Sequence, residues 1–185
     1  GTPVLWLDAS DASTIQDSAG VNPGGGGFNP ADIQQWSDKS DSGYVFQGGI
    51  GGKAAPGFDT NPTWNGSSQN GLPGIEFRRL NGLQDAGNPA GLPVGADARR
   101  VFFAGRAADT AGTGGGIHQY FSYGADSTNG DWNNMFFFDG GGSSTAFRNY
   151  FSGKNLDLVS PNADSVTAGT PVIIEFSYDG DKQGE

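Results

Sequence analysis

Val172-Ile173-Ile174-Glu175-Phe176-Ser177-Tyr178 decides the fold class, because its even-numbered residues put Ile174, Phe176 and Tyr178 on one face and its odd-numbered ones put Glu175 and Ser177 on the other. This two-residue period belongs to a half-buried strand. Working outward, apolar runs of strand length recur between turn clusters at residues 4–7, 43–47, 74–77, 100–106, 118–123, 134–138, 146–151, 156–159 and 171–178. No segment keeps a helical period over three turns. The best helical candidate is Asn29-Pro30-Ala31-Asp32-Ile33-Gln34-Gln35-Trp36, with Asn29 as N-cap and Pro30 in the first turn. About nine strands at this spacing predict an all-β chain with little helix: two packed antiparallel sheets in a β-sandwich.

Composition agrees. The chain has 185 residues, the size of one domain, so a single β-sandwich over residues 1–185 is expected. Its 33 Gly and 10 Pro would suit disorder. But 13 Phe, 5 Tyr and 4 Trp, grouped in runs such as VFF, QYF, MFFF and FRNYF, carry more apolar surface than a solvated linker does. Glycine then serves the turns of a β fold. Residues 24–27, 112–116 and 82–95 are expected to be long loops. At the C-terminal end, Asp179-Gly180 has hairpin-turn chemistry and calls for a returning strand. The sequence stops five residues later, which suggests that the last strand or strands come from a further C-terminal segment.

The net charge of −10 removes the basic footprint that nucleic acid or an anionic membrane surface requires. No run of eighteen apolar residues is present, so no membrane insertion is expected. Only Glu76, Glu175 and Glu185 are glutamates; every other acidic residue is Asp, concentrated in loops with Gly, Ser and Asn. Such short carboxylates suit turns and bound metal alike. Cysteine is absent, so stability in an extracellular setting would have to come from something other than disulfides, and calcium is one such source.

Residues 119–139, QYFSYGADSTNGDWNNMFFFD, concentrate the candidate chemistry: an aromatic strand, an oxygen-rich loop, and a second aromatic strand. Ca²⁺ takes six to eight oxygens at about 2.3–2.6 Å, a set that closely spaced carboxylates, amides and carbonyls provide. Asp126, Asn129 and Asp131 are the candidate ligands, with Asp139 from the facing strand completing the shell. The loop lacks the DxDxDG pattern and the bidentate Glu of an EF-hand, and an Asx-rich turn without metal is the competing reading. Trp132 stands in a polar loop where packing does not require it; with Asn133, Asn134 and Tyr120 it forms a candidate ligand-binding surface. Asp8 with Asp11, and Asp38 with Asp41, are weaker cation candidates and equally good turn caps. Trp6 and Trp36 read as core, and Trp64 as rim or lid.

Catalytic constellations are sparse. His118 is the only histidine, so neither a Ser/His/Asp triad nor a multi-histidine zinc site has much to build on. Glu76 and Glu175 stand alone, without the clustered Glu-x-Asp-x-x-Glu of concanavalin A-like glycosidases. Residues 47–54, QGGIGGKA, fail as a phosphate loop at both Gln47 and Ala54.

Val4-Leu5-Trp6-Leu7-Asp8-Ala9-Ser10-Asp11, Gln35-Trp36-Ser37-Asp38-Lys39-Ser40 and Asn70-Gly71-Leu72-Pro73-Gly74-Ile75-Glu76-Phe77 resemble the opening of a concanavalin A-like, laminin G-like jelly roll of bacterial surface proteins. Val101-Phe102-Phe103-Ala104-Gly105-Arg106 and the stretch through Tyr178-Asp179-Gly180 follow in that family's order. The resemblance implies a jelly-roll sandwich in a large calcium-dependent, RTX-type adhesin. Its expected role is non-catalytic, extracellular binding of a cell-surface glycan or peptide. Two other roles remain open on the same sandwich: a polysaccharide-degrading enzyme using Glu76 or Glu175, and a structural spacer stiffened by calcium.

Overall fold

The computed structural model describes residues 2–48, 61–77, 81–85, 91–93, 97–106, 117–123, 134–139, 146–150, 158–159 and 169–178. These are almost entirely β, paired antiparallel, with no α-helix among them and one turn of 3₁₀ helix at Ala12–Thr14. The chain divides into two compact units, Gly1–Leu92 and Pro93–Glu185. No helix among the described residues is long and apolar enough to cross a membrane.

In the first unit β1 (Ile15–Asp17), β2 (Ile33–Ser37) and β3 (Val45–Gln47) form a sheet in that order. The register runs Ile15↔Trp36 and Gln35↔Gln47, and Gln84 bridges to the outer edge of β3 through Gln47. Ile15 and Ile33 are 0 % exposed, and Tyr44, Pro62 and Leu92 in the same unit are buried as well. β4 (Thr63–Gln69) and β5 (Leu72–Glu76) make a separate hairpin. Its two-residue turn needs positive φ at both positions. Asn70 at 51° and Gly71 at 78° supply it, the most favoured pair for a tight hairpin.

Three expectations are corrected in this unit. Residues 29–36 do not form a helix. Asn29 does cap a single turn, its Oδ1 accepting the Ala31 N–H at 3.2 Å and its carbonyl the Asp32 N–H at 3.2 Å. From Ile33 onward, however, the chain is drawn into the ladder with β1, and the Ile33 N–H donates to the Pro62 carbonyl at 3.0 Å. Tertiary pairing overrides a local start signal of modest strength. Residues 4–7 are not a strand but an extended strap, tied where the Trp6 N–H meets Asp38 Oδ1 at 2.7 Å and the Trp6 carbonyl accepts the Lys39 N–H at 2.8 Å. Trp6 is accordingly 47 % exposed and not a core residue.

In the second unit β6 (Arg99–Gly105) pairs with β11 (Val172–Tyr178) over seven residues, Val172↔Gly105 through Tyr178↔Arg99. Gly105 makes room for its own strand: a Cβ there would lie 2.4 Å from Phe103 Cζ. A four-stranded sheet contains β7 (Ile117–Tyr123), β8 (Asn134–Asp139), β9 (Ala146–Tyr150) and β10 (Leu158–Val159), in the order β10-β9-β8-β7.

Candidate functional site

The oxygen-rich segment is bracketed by the β7–β8 ladder, in which Tyr123↔Asn134 is the pair next to the loop and Ile117↔Asp139 the pair at the far end. Asp126, Asn129, Asp131, Trp132 and Asn133 lie outside the described residues. Of the remaining candidates, Asn134 sits at the loop end of β8. Asp139 is five residues further along, about 17 Å at roughly 3.3 Å per residue, and is paired on its other side with Ala146. For Asp139 to join Asp126 and Asp131 around one ion, the loop would have to fold back along the whole ladder. Asn134 needs no such excursion.

Tyr120 occupies a distinct backbone position. Gln119 pairs with Phe137 and Phe121 with Phe136, so β7 carries one extra residue at Tyr120. A bulge of this kind bends its strand and raises the local twist, and bulges are enriched beside binding sites. His118 pairs with Phe138 within the same ladder.

Elsewhere the Asp-rich turns are described in full: the carboxylates of Asp8, Asp11 and Asp38 are engaged by protein, and Asp41 is exposed. Lys39 Nζ lies 2.9 Å from Asp8 Oδ2 and 3.1 Å from Asp11 Oδ2, and 4.7 Å from the centre of the Trp6 ring. The Ser10 hydroxyl, followed by Lys39, holds Asp8 below the usual carboxylate range. The Ser13 hydroxyl and then Lys39 do the same for Asp11. Asp8 first and Asp11 second raise the Lys39 ammonium above its ordinary value. A lysine thus lies between this pair, which the sequence offered as a weaker cation candidate and an equally good pair of turn caps. Asp38 acts as a turn cap: burial opposes its charge, but hydrogen bonds from Ser40 and the Trp6 N–H outweigh it and lower its pKa. Among the described residues no group of three His, Cys, Asp or Glu side chains gathers as a metal site.

Asp17 has a role that the sequence barely signals. It is 3 % exposed, and its carboxylate accepts backbone N–H groups from Asn29 at 2.8 Å, Val21 at 2.9 Å and Ala19 at 3.0 Å. These bonds, the one from Asn29 foremost, hold its pKa below the carboxylate range. Asp-Ser-Ala-Gly at residues 17–20 announces a turn, but nothing in it announces a bond to residue 29.

Glu76 and Glu175, the carboxylates of the enzymatic alternative, are each in contact with a neighbour. Glu76 Oε1 accepts from Asn65 Nδ2 at 2.8 Å, and Glu175 Oε1 lies 3.7 Å from Arg100 Nη1 at an exposed position. They belong to different units. Trp64 is half-buried on β4. Its Nε1 donates to the Ala9 carbonyl at 3.2 Å and its ring meets Phe28 edge-on at 5.7 Å, so it fastens the N-terminal strap and the glycine-rich segment to β4. Trp36 is half-buried, and its Nε1 finds no acceptor among the described residues. No protein-family model, no curated protein and no solved structure matches the chain.

Proposed function

We propose that this chain is a non-catalytic, calcium-dependent binding domain of an extracellular bacterial adhesin. On this reading it folds as a jelly-roll sandwich and takes a cell-surface glycan or peptide as ligand. The observation that carries the proposal is the Tyr123↔Asn134 pairing. It anchors both ends of an oxygen-rich segment, with its single Trp, on one antiparallel pair that has a bulge three residues from the loop. Calcium bound by Asp126, Asn129 and Asp131 would order that segment before the ligand arrives and so lower the entropic cost of binding. Asn133, Asn134 and the Trp132 ring would then meet ligand hydroxyls or a carboxylate, with Tyr120 at the bulge beside them. The acidic, cysteine-free composition supports the same reading, since bound metal stabilises a native state much as a crosslink does.

Two measurements test it. The melting temperature should rise with millimolar Ca²⁺ and fall in EDTA; identical melts would remove the metal from the proposal. A combined glycan and peptide array, probed with Ca²⁺ and with chelator, should give binding only in the first condition. Calcium-responsive melting with an empty array would instead favour the spacer.

A further inference from the structure

The strap over residues 2–9 lies on the first unit without one buried residue: Thr2, Pro3, Val4 and Trp6 are exposed, and Leu5, Leu7, Asp8 and Ala9 are half-buried. Its ties to the rest of the unit are polar. At the turn after β2, Asp38 Oδ1 accepts the Trp6 N–H at 2.7 Å, the Lys39 N–H donates to the Trp6 carbonyl at 2.8 Å, and the Ser40 hydroxyl donates to the Val4 carbonyl at 3.2 Å. Further along, Trp64 Nε1 donates to the Ala9 carbonyl at 3.2 Å. The Lys39 ammonium adds its contacts with Asp8 at 2.9 Å, Asp11 at 3.1 Å and the Trp6 ring at 4.7 Å. Lys39 therefore meets the strap through backbone, ion pair and ring at once, and through Asp11 it also meets the 3₁₀ turn that follows. Just past the strap the burial changes, with Thr14 at 9 % and Ile15 at 0 % exposed.

We propose that residues 2–9 are a latch that opens as a unit while β1, β2 and β3 stay paired, and that the charge of Lys39 controls the opening. Segments with few buried apolar contacts open locally at a lower free energy than the core does. The strap is such a segment, whereas β1 and β2 carry the fully buried Ile15 and Ile33. Ion pairs at partly exposed positions are individually weak and are screened by salt; here Asp8, Asp11 and the Trp6 ring all depend on a single ammonium, so removing its charge releases them together. The Asp17 clamp stands apart from this, because its carboxylate is held by the N–H groups of Ala19, Val21 and Asn29 and not by Lys39. Opening the latch frees Val4-Leu5-Trp6-Leu7, a run of four apolar residues, from the turn at residues 38–40. The proposal is independent of calcium.

Hydrogen exchange followed by mass spectrometry on the 185-residue chain at neutral pH tests it, by comparing peptides from residues 2–9 with peptides from β1 and β2. Lys39→Met keeps an apolar stem but no charge, and should speed exchange in the strap about tenfold while β1 and β2 stay within about twofold of wild type. Lys39→Arg keeps the charge and should return the strap to within about threefold of wild type. Raising NaCl from about 0.05 M to about 1 M should produce the same selective acceleration in the wild-type chain, as the Debye length shrinks. Equal acceleration of the strap and of β1 and β2 overturns the proposal, because the strap then opens only with the core, and a Lys39→Met chain that fails to fold overturns it for the same reason. A strap that exchanges without protection in wild type, or at an unchanged rate in Lys39→Met, overturns it as well.

Discussion

The two units hold their backbones in different ways. In residues 2–48, strands of three to five residues are tied together by aspartates. Asp8, Asp17 and Asp38 each accept bonds from two or more donors, and Lys39 bridges Asp8 and Asp11. The described part of the second unit relies on ladders, with β6 and β11 matched over seven consecutive pairs and β8 paired on both sides. A helix-poor chain can satisfy its backbone by either route. The first makes stability sensitive to individual carboxylates, and the second makes it sensitive to register and to whatever covers the faces.

Several substitutions sharpen or break this contrast. The largest effect should follow from emptying two apolar side chains that are 0 % exposed: Ile33→Ala or Ile15→Ala should cost about 2–5 kcal/mol in denaturant unfolding. Asp17→Ala comes next, leaving three backbone donors without their acceptor. It should lower the melting temperature and make residues 20–28 cleave roughly tenfold faster under limited proteolysis, as expected where local opening controls cutting. If the cleavage rate is unchanged, the carboxylate does not organise that segment.

Metal should divide the units. In hydrogen exchange followed by mass spectrometry, EDTA should speed exchange in residues 117–139 and leave residues 2–48 unaltered. At a calcium concentration about a hundredfold above Kd, the expected stabilisation is about 2.7 kcal/mol. Equal responses in both regions would break the contrast.

The pH response should be milder. Asp8, Asp11, Asp17 and Asp38 all have folded pKa values below the unfolded ones. Their contribution is complete above the unfolded carboxylate pKa of about 4 and is lost as pH falls through the folded values. Lys39 has the opposite sign. Its raised pKa contributes fully below about 10.4 and is lost as pH climbs through the folded value. Melting temperature should therefore be nearly flat from about pH 5 to pH 9 and drop outside that window. Trp36→Phe should have the smallest effect, within about 1 kcal/mol of wild type, because it deletes an indole N–H that has no acceptor among the described residues.

Legibility in the sequence was fuller in the second unit, though not confined to it. β3 and β5 in the first unit and β6 through β11 in the second were readable because their runs are apolar, aromatic or alternating, and the two strands expected within residues 119–139 appear as the β7–β8 pair. β1 and β4 were not readable. Ile15-Gln16-Asp17 is too short to show a period, and Thr63-Trp64-Asn65-Gly66-Ser67-Ser68-Gln69 has too few apolar residues. β2 was misread because Asn29 and Pro30 are good helix-start residues, and the partner that overrides them lies at Ile15–Asp17. Of the candidate site, sequence identified the strands on either side of the loop. It gave no sign of the bulge at Tyr120, which depends on register with β8.

The segment between Asp17 and Asn29 suggests a practical use. Its near end is fixed by Asn22, whose Nδ2 donates to the Ile15 carbonyl at 2.7 Å, and its far end by Phe28 against Trp64 and by the Asn29 N–H on Asp17. Between these anchors lies Pro23-Gly24-Gly25-Gly26-Gly27, with no side chain larger than a proline ring. A foreign peptide spliced in place of those five residues would inherit termini already clamped without a covalent crosslink, making this loop a ready display platform that thiol reagents cannot unfasten.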